Sequence, residues 1–393
     1  MQQNDYDRST QNEQRIRSDV VVAVCTVYDE ETVFTILKEA ISALGGLERF
    51  VCRNERILVK PNFLTPADRD KCITTDPAII RAFLRLLQES GYGQVKIGDS
   101  PANGTSKQAF SKLNLDEEQL YGAEIAEMAK EVHQDFPEGR TAKSFWFTED
   151  VINADAIIGL SKMKTHALTR ITGAVKNMYG LICGSRKALG HVSYPNALVF
   201  SGMLTDIHRC TRPRLHIMDA ITAMEGNGPG AGVPTDMGLI LVSDDPVAID
   251  TVFAKLVYLD PLLVPTCTQG MAAGIGTCRE SDIRLKLLEN GTQCIIGFDE
   301  LIKRFGKPGF DVQREKDKFS MLGLLSKFTG LFGKKPYIDS MKCVKCGVCC
   351  DHCPVNAVTL RNGKESPPVY DYKKCIRCFC CQEICPRQAI NVK

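Results

Sequence analysis

Ten of the chain's 18 cysteines lie between Cys343 and Cys385, while the other eight scatter singly through the first 300 residues. From Cys343 the chain reads CVKCGVCCDHCP, and from Cys375 it reads CIRCFCCQEICP. Cys343, Cys346, Cys349, Cys353 and Pro354 thus return 32 positions later as Cys375, Cys378, Cys381, Cys385 and Pro386, and Ala357 returns as Ala389. The duplicated C-x2-C-x2-C-x3-C-P run has a mechanical meaning. Three thiolates with two residues between them let one tight loop wrap three iron corners, and the fourth corner needs a ligand from elsewhere. The proline turns the chain away, so the fourth cysteine of each run serves the other cluster. The spacing therefore assigns Cys343, Cys346, Cys349 and Cys385 to one [4Fe-4S] centre, and Cys375, Cys378, Cys381 and Cys353 to a second. Zinc would favour two separated pairs, and so large a chain with no secretory signal is a poor candidate for a disulfide framework. Cys350 and Cys380 are left over, as small apolar neighbours of the clusters or as spare ligands. His352 lies between ligands by position only.

A second group of reactive types lies in the first 300 residues: Lys60 and Asn62 (VKPNF), Asp99 (GDSP), Lys162, Lys164 and His166 (SKMKTH), Lys176 and Asn177 (GAVKNMYG), Glu225 and Asn227 (MEGNGPG). Most follow apolar runs, so in a parallel sheet they meet at the carboxyl ends of the strands. Lys162 and Lys164 are two apart and share a face in an extended segment. With Lys60 and Lys176 they form a basic cleft for a carboxylate or phosphate, and His166 is a candidate proton donor. The competing account makes each a solvated loop residue. The glycine-dense EGNGPGAG loop offers bare amides to an anion, but matches neither the dinucleotide-binding nor the phosphate-loop spacing. Cys183, in ICGSRKALGH, is the lone cysteine to test for reactivity.

The elements that must position these residues follow from periodicity. Val20–Tyr28, Ile57–Pro61, Val95–Asp99, Ala156–Leu160, Leu215–Ala220 and Gly238–Asp245 are apolar runs of strand length. Amphipathic stretches Glu30–Ala43, Pro77–Ser90 and Pro246–Val257 are helical. The alternation predicts an α/β body with a mainly parallel sheet. Ala357–Leu360 and Pro368–Tyr372 bracket a polar turn, so the end of the chain reads as a small α+β, ferredoxin-like domain. The expected divisions are a flexible tail over 1–19, the body over 20–300, a basic linker over 301–335 and the cysteine domain over 336–393. Within the linker, Phe319–Phe332 has the composition of an amphipathic helix, for docking or for weak attachment to a membrane surface.

Charge refines this. The total is near balance, with 49 basic and 47 acidic residues, which argues against wholesale nucleic-acid binding. It conceals an acidic body, with 31 basic against 39 acidic residues up to position 300, and a basic end, with 11 against 5 from position 334. Opposite fields would hold the two parts together or steer an anionic partner such as an acidic ferredoxin. No run has the length of a transmembrane helix and the first 19 residues are polar, so the expectation is a cytoplasmic protein.

With VKPNF, GDSP, SKMKTH, TGAVKNMYG, MEGNGPG and DPVAIDTV in this order, the body resembles the domain of unknown function 362 family, and the tail resembles a bacterial dicluster ferredoxin. The resemblance implies an anaerobic host and eight cluster ligands. In the body it implies only that Lys60, Asn62, Asp99, Lys162, Lys164, His166, Lys176, Asn177, Glu225, Asp245 and Asp250 stand at the family's motif positions. Residues and resemblance together point to an iron-sulfur oxidoreductase that moves single low-potential electrons to or from a lysine-rich cleft. The rivals are a non-catalytic electron carrier for a separate reductase and a cluster-delivery protein. Flavin is a conceivable intermediate acceptor, but no residue marks a site for it.

Overall fold

The continuous apolar run at Val20 requires a strand covered on both faces. The computed structural model, which describes residues 18–315, 334–361, 363 and 365–392, places it inside a ten-stranded sheet. The strands of the body are β1 (Ser18–Val24), β2 (Ile57–Lys60), β3 (Val95–Ile97), β4 (Glu124–Ile125), β5 (Glu131–Asp135), β6 (Ser144–Thr148), β7 (Ala156–His166), β8 (Arg170–Thr172), β9 (Leu215–Glu225), β10 (Val233–Ser243), β11 (Ile283–Glu289) and β12 (Thr292–Ile296). Their order is β12-β11-β1-β10-β9-β7-β2-β3-β4, with β8 folded back on β7, while β5 and β6 pair separately. From β9 through β7, β2 and β3 to β4 every pairing is parallel, as is β1 with β11. Only β10, β12 and β8 run against their neighbours. The body is an α/β domain with a mainly parallel sheet.

Alternation along β1 sends Val20 and Val22 to one core and Val21 and Ala23 to the other. Helices Ala197–Thr211 and Pro246–Leu256 cover the first face with Phe200, Ile207, Val247 and Phe253. Helices Glu30–Ala43 and Pro77–Glu89 cover the second with Phe34, Leu37, Ile79 and Phe83. Asp29, Asp76 and Asp245 cap their helices by accepting the Thr32, Ala78 and Val247 N–H groups, and Pro77 and Pro246 preset the first turn. Each fully buried side chain of this size stabilises the fold by about 1.5–3 kcal/mol.

The helices begin and end within a residue of their expected limits, whereas β1 and β3 end early, β10 begins early at Val233, and β7 and β9 run past their expected ends. β7 and β9 have 11 residues each, because their polar ends find partners inside the protein rather than water. The expected boundary at 300 falls within helix Phe298–Phe305, and Leu301, Phe310 and Val312 are buried in the body. Ser18 and Asp19 belong to β1, where Arg284 and Lys286 hold the Asp19 carboxylate. The rest of the N-terminal tail and the amphipathic Phe319–Phe332 segment lie outside the described residues.

The tail adds β13 (Pro336–Ile338), β14 (Val358–Thr359), β15 (Val369–Tyr370) and β16 (Ile390–Val392). β14 and β15 form an antiparallel pair across the polar turn, and β13 pairs with β16. The buried apolar cluster here is Cys349, Val358, Cys381 and Ile390, with Ala357, Phe379, Ile384 and Ala389 also buried. Among the described residues no helix is long and apolar enough to cross a membrane.

Candidate functional site

The duplication in sequence is also a duplication in backbone. Left-handed φ values at Lys345 (60°), Gly347 (86°) and Asn356 (50°) return 32 positions later at Arg377 (57°), Phe379 (62°) and Gln388 (50°). These turns curl each cysteine run back on itself. Cys343, Cys346, Cys349 and Cys385 line one cavity. Burial, then the neighbouring Cys350, Cys385 and Cys346, push the Cys349 thiol up to about 12. In the other half burial, then Cys378 and Cys353, raise Cys375. The fourth cysteine of each run therefore lies beside the triplet of the other. The Ala357 and Ala389 N–H groups donate to Cys353 Sγ (3.1 Å) and Cys385 Sγ (3.2 Å), again in duplicate, and the Tyr370 hydroxyl donates to Cys381 Sγ (3.2 Å). Among the described residues no three His, Cys, Asp or Glu converge as on a single metal ion. Two all-sulfur sets of four, with hydrogen-bond donors on the sulfurs, are a donor chemistry that fits [4Fe-4S] clusters.

A larger cavity, about 780 Å³ counting its mouth, lies where this module meets the strand ends of the body. Lys60 and Asn62 come to it from the end of β2, Asp99 from the loop after β3, Lys164 from β7 and Thr172 from β8. Lys176 and Asn177 come from the turn of helix Ala174–Asn177, and Lys187 and His191 from one face of helix Gly184–Ser193. His352, Cys380, Glu383 and Ile384 of the tail complete the wall.

The groups in this wall differ in how they are satisfied. Lys60, 1% exposed, donates to Asp99 Oδ1 and Asn177 Oδ1, each at 2.9 Å, and to the Pro61 carbonyl at 2.7 Å. Burial lowers its pKa against the pull of Asp99. Asp99 Oδ2 in turn accepts the Phe63 N–H at 2.7 Å. Lys164 donates to the Ile73 carbonyl at 2.6 Å, and burial, then the nearby Lys176 charge, drive its pKa well down. Lys187 donates to the Ser100 carbonyl, and burial lowers it to about 8. Lys176 is different: it is 9% exposed, and among the described residues its ammonium has neither a hydrogen-bond nor an ion-pair partner. Asn62 Oδ1, Thr172 Oγ1 and His191 Nδ1 are likewise buried without partners. Such groups cost about 1–3 kcal/mol each when nothing meets them. The recess thus holds one ammonium without a hydrogen-bond or ion-pair partner, near the Glu383 carboxylate, and three orphaned polar atoms.

Several expected members stand elsewhere. The ladder slips on the β9 side between Lys162 and Lys164, and of the two only Lys164 lines the cavity. Lys162 is instead bound to Asp219 Oδ2 and the Tyr28 hydroxyl, each at 2.8 Å, away from the cavity. His166 lies behind the cavity wall. Its Nδ1 accepts the Leu168 and Thr169 N–H groups, which leaves the proton on Nε2, 2.8 Å from Glu383 Oε1. Burial lowers the imidazole to about 4, so it is neutral near pH 7. Burial opposes ionisation of Glu383, but Lys176 and then His166 outweigh it and hold the carboxyl well below the usual range. Glu225 accepts the Asp311 N–H, and Cys183 is buried with its thiol on the Ala129 carbonyl. Asp245 caps its helix, and Asp250 accepts the Ala174 and Val175 N–H groups at the turn that carries Lys176.

The glycine-dense loop is not an anion nest, because it receives the tail. Gln382 Nε2 donates to Asn227 Oδ1 (2.6 Å), Asn227 O (3.1 Å) and Gly228 O (3.1 Å), and Gln388 Nε2 donates to Gly230 O (2.9 Å). Asn227 Nδ2 returns a bond to the Ile390 carbonyl (3.1 Å). Glu383, Thr172, Lys187 and His191 went unread in the sequence. The last two carry a trace of signal in their i, i+4 spacing, whereas Glu383 is an ordinary interval residue between cluster cysteines.

Residues 57–255 match the family model described as a domain of unknown function (DUF362), and residues 335–386 match a 4Fe-4S dicluster domain. A thylakoid-associated protein of Synechocystis sp. is 32% identical over 240 residues, 61% of this chain and 74% of that one. Among solved structures, the lactate racemase apoprotein from Thermoanaerobacterium thermosaccharolyticum aligns over 60% of this chain and 56% of that one, at 10% identity and a TM-score of 0.37. A protein from Thermotoga maritima aligns over 62% and 59%, at 12% identity and a TM-score of 0.35. The chain spans less than two thirds of either structure, and both likenesses are too slight to argue from. The dicluster domain supports an iron-sulfur electron-transfer role. The chain belongs to the DUF362 family and joins that family's domain to a 4Fe-4S dicluster domain in one polypeptide.

Proposed function

We propose that the chain is an iron-sulfur oxidoreductase whose cysteine module delivers electrons to, or takes them from, a small anionic substrate or cofactor held in the cavity beneath it. Cys343, Cys346, Cys349 and Cys385 would hold one [4Fe-4S] cluster, and Cys375, Cys378, Cys381 and Cys353 the other. When bound, these clusters supply single electrons at low potential. The remaining roles fall to the chain's own side chains. Lys176 holds the anionic group, and Lys164 adds an amine donor on the same wall. The Lys60–Asp99–Asn177 network fixes the floor, and Asn62, Thr172 and His191 offer hydrogen bonds. His166 positions Glu383, which keeps the cysteine loop against the cavity.

The observation that carries this reading is the composite wall. The largely buried Lys176, whose ammonium has no hydrogen-bond or ion-pair partner among the described residues, lines a recess to which the body contributes lysines and the tail contributes Cys380, next to Cys381 and two positions from Cys378. A carrier that used the body only as a scaffold has no need of such a recess.

The test is anaerobic purification of the wild type and of Lys176→Met, followed by iron and sulfide analysis and mass spectrometry of the small molecules each releases. The expected result is an anion retained by the wild type and lost from the variant, at equal iron and sulfide. Identical small-molecule content, with electron paramagnetic resonance spectra of both reduced forms indifferent to added phosphate or malonate, would overturn it.

A further inference from the structure

Six basic residues of the tail face away from the acidic body's carboxylates. Among the described residues the seam between the two is made by neutral amides of Gln382, Gln388 and Asn227, and its charged group from the tail is acidic, Glu383, which accepts from the neutral His166 and lies in the field of Lys176 of the body. Among the described residues Lys342, Lys345, Lys373, Lys374, Arg377 and Arg387 form no ion pair with a body carboxylate; Lys374 faces Asp371 and Lys345 the Glu365 carbonyl, both within the tail. This cationic surface is therefore free for something outside the chain.

The two cysteine sets are also placed differently. Cys349 and Cys381 are both buried, but in the Cys375 run Cys378 is half-buried and Cys380 faces the body cavity. In the Cys343 run, Cys346 is exposed, and beside it Met341 and Val344 are 96% and 53% exposed. Val344 and Arg387 line the same recess as that run's cysteines, and Lys342 and Arg387 are open to solvent. From 334 to 361 the tail has Lys334, Lys335, Lys342, Lys345 and Arg361 against Asp339 and Asp351. A small apolar centre inside a charged rim is the form of a transient electron-transfer interface.

We propose that the relay is polarised. An acidic one-electron redox protein docks on Met341 and Val344 within the Lys342, Lys345 and Arg387 rim and exchanges electrons with the Cys343–Cys346–Cys349–Cys385 end. The Cys375–Cys378–Cys381–Cys353 end serves the cavity. In the reducing direction the partner loses one electron and this chain gains it, with no proton or third reactant required. The proposal rests on the iron-sulfur reading above and adds the order of the two ends and the class of partner.

The experiment is anaerobic stopped-flow reduction of the full chain, followed at its cluster absorption, with a reduced acidic plant-type [2Fe-2S] ferredoxin as the probe. The forms compared are wild type, the Lys342→Glu/Lys345→Glu/Arg387→Glu variant and the Lys373→Glu/Lys374→Glu variant. Iron content and reduction by photoexcited deazaflavin are measured in parallel. The expected result is a wild-type rate that falls with added salt, a rate at least ~10-fold lower in the triple variant at low salt, and a change under ~2-fold in the double variant. Chemical reduction should be equal in all three. A triple variant within ~2-fold of wild type, or a double variant that loses as much as the triple, overturns the polarity while leaving the iron-sulfur reading intact. Failure of all forms to accept electrons from deazaflavin would instead remove that reading, and the polarity with it.

Discussion

The body buries apolar side chains on both faces of its sheet, Val20 and Val22 against one set of helices and Val21 and Ala23 against another. The packed apolar cluster of the tail is Cys349, Val358, Cys381 and Ile390, and two of these four are cluster-type cysteines. One region is thus held together by what it excludes, and the other by what it binds. A domain this small rarely closes on a hydrophobic core alone, and metal binding then becomes folding free energy. The tail's order is conditional in a way the body's is not, and the cavity that spans both inherits that condition.

The strongest way to break this contrast is to remove the iron. Oxidation in the presence of a chelator should unfold the tail, read as rapid proteolysis after residue 334. The fluorescence of Trp146, the single tryptophan and a residue of β6 in the body, should keep its native value. Simultaneous loss of both signals would make the two regions one cooperative unit. Crossing can be sharpened next: Cys353→Ala and Cys375→Ala should abolish the same paramagnetic centre and leave the other, at the cost of roughly half the iron. Different centres lost in the two variants would mean that each run closes on itself.

Within the body the expected effects are smaller. A Cβ at Gly180 would overlap Asp99 Oδ1 and Lys60 Nζ, so Gly180→Ala should destabilise the body by about 2–3 kcal/mol, seen as a lower Trp146 transition temperature. An unchanged transition would mean that the Lys60–Asp99 floor yields more easily than its packing implies. His208, buried with Nε2 3.1 Å from the Val175 carbonyl, is lowered by burial to about 4. Because the folded value lies below the unfolded one, its contribution is present above pH 6.5 and is lost as pH falls from 6.5 towards 4. The stability gap between wild type and His208→Gln should therefore narrow by about 2–3 kcal/mol over that window. A constant gap would show that His208 is protonated in the fold. Least of all, Gln388→Ala removes one bond to Gly230 and should loosen the seam by about 1 kcal/mol, with proteolysis at the tail modestly faster and Trp146 unchanged.

Legibility in the sequence followed the same division. The cysteine runs were readable because covalent spacing limits which thiols reach one cluster, and that limit operates over a dozen residues. The body's helices were readable from local period and from Asp caps with proline at the first turn. The ends of β7 and β9 were not, since Lys162 and Asp219 look like loop residues until each is seen to neutralise the other across the ladder. β4 and β8 were too short to show a pattern, and the helix at Phe298 was lost in a stretch that charge alone marked as linker.

By itself the sequence determined the class of the body, the duplication of the tail and the soft-ligand chemistry of eight cysteines, because each rests on near neighbours. Only the tertiary structure decided that Lys162 leaves the cleft while Lys164 stays, since Asp219 and Tyr28 capture the Lys162 ammonium. It alone decided that the glycine loop is a seat for the tail, and that Glu383 and Cys380 close a cavity whose lysines lie some two hundred residues away in the chain. Those outcomes depend on burial and charge pairing between segments remote in sequence, where no local pattern records which partner will be met.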